Sequence, residues 1–127
     1  MSLNTVFYDP TDQLTPMESA LLQGIAACHR NPALTEQIER CRVAKREYSG
    51  CGFFTTLMVP EASPVVEIVG TGRILDGSNI KAPELSHGAA SVLFLKDGRI
   101  HILEVFAYVD GDPAQVSGFT IVPESAS

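Results

Sequence analysis

The 127-residue chain has no tryptophan, three cysteines and nine basic side chains. Each shortage excludes something. Cys28, Cys41 and Cys51 are odd in number and form no C-x-x-C pair, which argues against a disulfide framework or a zinc site, and no HxH or HExxH spacing supports a metal at His87 or His101. Nine Lys and Arg against fifteen Asp and Glu give a net charge of −6. A broad electrostatic footprint for nucleic acid is therefore not expected. No apolar run approaches the ~18 residues of a membrane span, and MSLNTVFYDPTDQ lacks the basic start and apolar core of a signal peptide. A cytoplasmic chain without membrane contact is the expectation. Charged residues, at 19%, fall short of the usual share, which leaves more surface for another molecule to cover.

What is present centres on Ser91–Phe106, SVLFLKDGRIHILEVF. Two apolar runs are joined by Asp97-Gly98, and a type I′ turn takes φ > 0 at both central residues, so the pair predicts a hairpin. An uninterrupted ladder would set Leu95 opposite Ile100, Phe94 opposite His101, Leu93 opposite Ile102, Val92 opposite Leu103 and Ser91 opposite Glu104. Alternate residues point to opposite faces, so this hairpin is apolar on both sides. One face can meet the chain's own helices; the other needs a second cover. Val92, Leu93, Phe94, Ile102 and Leu103 are the candidate interface residues.

Thr15-Pro16-Met17-Glu18 starts a helix, with Thr15 as cap, Pro16 at the first position and Glu18 completing a capping box. Met17, Leu21, Leu22, Ile25 and Cys28 then recur at helical spacing to about Arg30. Asn31-Pro32 begins a shorter helix reaching about Arg42. Afterwards the period changes. Val43–Tyr48 and Phe53–Val59 read as strand around a Gly50-Cys51-Gly52 bulge, Val65–Val69 and Arg73–Leu75 as strand around Gly70-Thr71-Gly72, and Gly118–Val122 as a last short strand. Asp76–Glu84 reads as a polar loop. The expected fold is one α+β domain over 1–127, with 1–12 and 123–127 loosely ordered. Two N-terminal helices pack on one face of a mainly antiparallel, strongly curved sheet of four to six strands.

The candidate chemistry is sparse. Cys51 lies between two glycines, but a nucleophilic cysteine needs a neighbouring base or helix N-terminus, and nothing in the spacing brings His87 or His101 to it. Glu104 interrupts an apolar strand, and an ion pair with Arg46 or Arg73 outweighs acid–base work. Gly70-Thr71-Gly72 lacks the GK[ST] ending and the following helix of a phosphate loop. Five basic residues, Arg30, Arg40, Arg42, Lys45 and Arg46, crowd one stretch, which as a solvated surface needs no anion. Phe53 and Phe54 cannot both face one core, so one side is left for a pocket or interface.

REYSGCGFFTTL (Arg46–Leu57) and SHGAASVLFLKDGRIHILEVFAY (Ser86–Tyr108) resemble a group of small bacterial proteins of unassigned function. These share an RE-x-[ST]-G-x-GFFT block followed by an HGA-x-x-LF-x-x-DG-x-[IL]-x-x-LE block. The match departs at Val105, where glycine is expected. The resemblance implies an α+β fold and no activity or cofactor.

The function expected is a non-enzymatic module working by association, as a homodimer or with another protein, and without a cofactor. The alternative is a small-molecule binder or unrecognised enzyme around the Gly50–Gly52 bulge, using Arg46, Tyr48, Cys51, Phe53, His87 and Glu104. A third reading is an acidic, immunity-type inhibitor that masks a basic toxin.

Overall fold

The computed structural model describes residues 13–67 and 74–122. Helix α1, Pro16–His29, begins with the expected capping box: the Thr15 hydroxyl accepts from the Glu18 amide at 3.1 Å, and the Glu18 carboxylate accepts from the Thr15 amide at 2.8 Å. It ends where Arg30 turns left-handed at φ 51°. Asn31 immediately caps α2, Pro32–Arg40, by accepting from the Leu34 amide.

Seven strands follow: β1 (Arg42–Tyr48), β2 (Gly52–Met58), β3 (Ile74–Asp76), β4 (Asn79–Ala82), β5 (Leu85–Lys96), β6 (Arg99–Ala107) and β7 (Thr120–Val122). They form one antiparallel sheet in the order β1-β2-β6-β5-β4-β7, with β3 beside the far half of β5. The α+β class holds. The expected strong curvature does not: the sheet is open, with β1 and β7 at its ends. Its strand number also exceeds the expected four to six, because β4 lies where a polar loop was expected, while β3 and β7 overlap the expected strands at Arg73–Leu75 and Gly118–Val122.

Several local expectations are corrected. Gly50-Cys51-Gly52 is not a bulge inside a strand but lies at the turn joining β1 to β2, with Gly50 at φ 91°. Gly52 is nonetheless a close approach, since a Cβ there would lie 2.2 Å from the Val105 carbonyl oxygen. Val65, Val66 and Glu67 form no strand; the Val66 amide instead bonds the Gly98 carbonyl at 2.8 Å. The presumed loop 76–84 contains β4, which is held by Ile80, fully buried and paired with Ala89 and Ile121. Gly70-Thr71-Gly72, Arg73 and the two chain ends expected to be loose lie outside the described residues.

The central hairpin forms on Asp97-Gly98, with φ 53° and 76°, as a type I′ turn requires. Its register differs from the simple ladder. Leu95 pairs with Ile100, but Phe94 then pairs with Ile102, Leu93 with Leu103, Val92 with Glu104 and Ser91 with Val105. His101 is the extra residue of a β-bulge. Because side chains alternate with period two, one inserted residue reverses every later orientation. Leu103 and Val105 are thereby turned to the helix side, where they are fully buried with Leu93, Leu21, Leu22 and Leu34.

Gln37, fully buried on α2, holds the turn side of this bulge. Its side-chain amide donates to the Gly98 and Pro64 carbonyls at 3.0 and 2.7 Å, and its oxygen accepts from the Ile100 amide at 2.8 Å.

Candidate functional site

The six candidate ligand residues do not form one site. Arg46, Tyr48 and Phe53 converge on the helix side of the sheet, in the wall of a partly open cavity of about 180 Å3 that is also lined by Met17, Val116 and Phe119. Cys51 is exposed at the β1–β2 turn, His87 is exposed on β5, and Glu104 lies on the opposite face of the sheet.

Arg46 does not reach Glu104. It is 3% exposed and forks onto Glu18, its Nε and Nη2 each donating at 2.7 Å to one carboxylate oxygen. Nη2 also donates to the Gln13 carbonyl, and the Thr55 hydroxyl donates to the same carboxylate. Glu18, fully buried, therefore accepts from Arg46, Thr55 and the Thr15 amide together. A desolvated ion pair persists only with such complete satisfaction. The carboxylate that Arg46 binds belongs to its own chain. The capping box was legible from Thr15 and Glu18, whereas the second role of Glu18 depends on tertiary placement.

Around His87 the hydrogen bonds run the wrong way for a nucleophile. The Ser86 hydroxyl donates to Asp110 and lies 3.0 Å from His87 Nδ1. With its proton committed to Asp110, Ser86 can only accept from the imidazole, the reverse of an activated serine. The bond from Ser86 holds the Asp110 carboxyl below the usual range. Cys51 has the Ser49 hydroxyl at 3.6 Å, and no hydrogen bond joins it to a histidine. No group of three potential metal ligands occurs among the described residues.

The outer face of the sheet is the more unusual surface. Strand pairing sets two rows across it, Glu47–Phe54–Glu104–Val92–Asp76 and Lys45–Thr56–Ile102–Phe94–Ile74. Phe106 lies beyond the first row, opposite Ala90 and Gly52. Phe54 is 37% and Ile74 53% exposed, and Val92, Phe94, Ile102 and Phe106 are half-buried by their neighbours alone. Among the candidate interface residues, Val92, Phe94 and Ile102 belong to this face. Leu93 and Leu103 do not, since both are fully buried under the helices.

Glu104 occupies the centre of this apolar field, between Phe54 and Val92. Among the described residues no donor or cation bonds its carboxylate. Burial alone pushes its pKa above the ordinary 4.5. The nearest charges along its row are Glu47 and Asp76, one strand further out on either side, and Lys45 is taken by Glu47 at 3.3 Å.

No helix among the described residues is long and apolar enough to cross a membrane. No protein-family model, curated protein or solved structure matches this chain.

Proposed function

We propose that this chain is a non-enzymatic association module whose docking surface is the outer face of the sheet and whose occupant is a second copy of itself. The observation that carries this is the set Phe54, Val92, Phe94, Ile102 and Phe106, which sits on central strands with no helix above it among the described residues. An antiparallel sheet with one covered face normally keeps the other polar. Five strands about 4.8 Å apart, crossed by the roughly 17 Å of Ile102–Phe106, present on the order of 400 Å2 in projection. Protruding side chains enlarge that area toward the ~800 Å2 per partner of a specific complex. Two such faces stack about 10 Å apart as a β-sandwich with the helices outermost.

The test is light scattering coupled to size exclusion over a range of concentrations. The wild type is expected to form a dimer that Phe94→Asp abolishes, with the variant's melting temperature little changed. A wild type that stays monomeric throughout would reject the proposal.

The cavity beside Tyr48 and Phe53 favours a second reading, capture of a small apolar molecule. At about 180 Å3 it slightly exceeds the ~150 Å3 cavity that accepts benzene in another protein. A thermal shift with a panel of small aromatic compounds, lost on Tyr48→Ala, is its signature, and no response across the panel rejects it.

A further inference from the structure

The geometry points to a proton-dependent contact: two copies meet at Glu104, and their association takes up protons there. This rests on the self-association proposed above and adds what controls it.

The five strands across the face run β1-β2-β6-β5-β3 at the level of Glu104, so β6 is the middle strand. Glu104 is also the middle residue of its row, with Phe54 and Glu47 on one side and Val92 and Asp76 on the other. Homodimers are predominantly two-fold and isologous. A two-fold axis lying between stacked sheets maps the centre of the face onto itself, whether it runs along the strands or across them. Either way, a contact centred on this apolar field brings Glu104 against Glu104 of the second copy.

Two carboxylates enclosed between apolar sheets cannot both stay ionised: each disfavours the other's charge, and desolvation acts on both. Among the described residues nothing relieves them. The element on one side presents Phe54 and Thr56, the other presents Val92 and Phe94, and the flanking charges on the row are the acids Glu47 and Asp76. The titratable base nearest on the same strand is His101, three positions away at the bulge. The dimer therefore binds between one and two more protons than two separate chains. Its association constant rises up to tenfold per pH unit for each proton as pH falls.

Sedimentation velocity on the full chain from pH 8 to pH 5.5 tests this, with Glu104→Gln, Phe94→Asp and Glu61→Gln as variants. The range stays above the pI of about 4.9, where loss of net charge itself drives association. Glu61 is exposed and lies outside both rows of the face, so its variant carries the same charge change elsewhere. The wild type and Glu61→Gln are expected to associate at least tenfold more tightly at pH 5.5 than at pH 8. Glu104→Gln should dimerise at pH 8 as tightly as the wild type does at pH 5.5, with a flat pH profile. Phe94→Asp should stay monomeric throughout. If the wild type and Glu104→Gln dimerise with the same pH profile, and Phe94→Asp does not dimerise, the face is the interface and the proton is not its control. If Glu61→Gln behaves as Glu104→Gln, net charge is the cause and the proton-coupled contact is rejected. If all four are monomeric at every pH, the self-association itself fails, and the open face belongs to a different partner.

Discussion

The two faces of the sheet each place a glutamate among apolar side chains, and the contrast between those carboxylates separates a finished interior from an unfinished one. Glu18, in the first turn of α1 and facing the sheet, is fully buried and accepts from Arg46, Thr55 and the Thr15 amide. Glu104, on the far face, has Phe54 and Val92 beside it and no donor among the described residues. Folding completes the first environment by itself. The second is apolar enough to raise the pKa of its acid, yet no described element covers it. A charged residue's surroundings thus report whether a surface has already met its partner.

The largest way to break the comparison is at the finished site. Arg46→Ala leaves Glu18 buried without its cation, and removing one member of such a pair costs about 3–5 kcal/mol. Urea denaturation should show that loss. A change below ~1 kcal/mol would mean that water reaches Glu18 and that the site is less closed than its hydrogen bonds imply.

Adjacent residues of β6 sharpen the contrast at intermediate scale. Leu103→Ala removes a fully buried side chain from the helix side, for an expected loss of about 2–5 kcal/mol. Ile102→Ala, one residue away on the open face, should cost the monomer roughly 1 kcal/mol or less. The same Ile102 variant should weaken association far more than it weakens folding. Equal effects of the two on monomer stability would show that the outer face is covered within the chain.

The smallest effect concerns the acid alone. Burial raises the Glu104 pKa above 4.5, so the folded monomer holds this proton more tightly than the unfolded chain does. The resulting penalty is absent below the unfolded value and complete above the folded one, so stability declines as pH rises through that window. Glu104→Gln should remove this slope and raise monomer stability at neutral pH by about 0.5 kcal/mol or less. An unchanged slope in dilute protein would place the titration on another group.

Much of the fold was legible because its signals are local. Thr15-Pro16-x-Glu18, Asn31-Pro32 and Asp97-Gly98 each act through hydrogen bonds or backbone angles a few residues apart, and each appears where expected. Non-local features were not legible. Nothing in RIHILEV marks His101 as an extra residue, so the expected face assignment holds at Ile100 and reverses beyond it. Strand β4 was hidden because Ile80 is one apolar residue among polar ones, and only its pairing with β5 and β7 makes it a strand. The candidate site was partly legible. The two-sided apolar hairpin, Val92, Phe94 and Ile102 were visible in the chain, whereas Glu104 was expected to pair with Arg46 or Arg73 and its lack of a donor among the described residues was not foreseen. The removal of Arg46 to the interior was not, because its partner lies 28 positions away.

The Gln37 clamp has a consequence for timing. Closing a hairpin on Asp97-Gly98 is a local event, of the microsecond kind. Tying that hairpin to the helices waits on contacts far apart in the chain, which are slower to form. Gln37 bonds Gly98 and Ile100 from 61 and 63 positions away. The turn end of the hairpin is thus tied to the helices only when α2 docks on it.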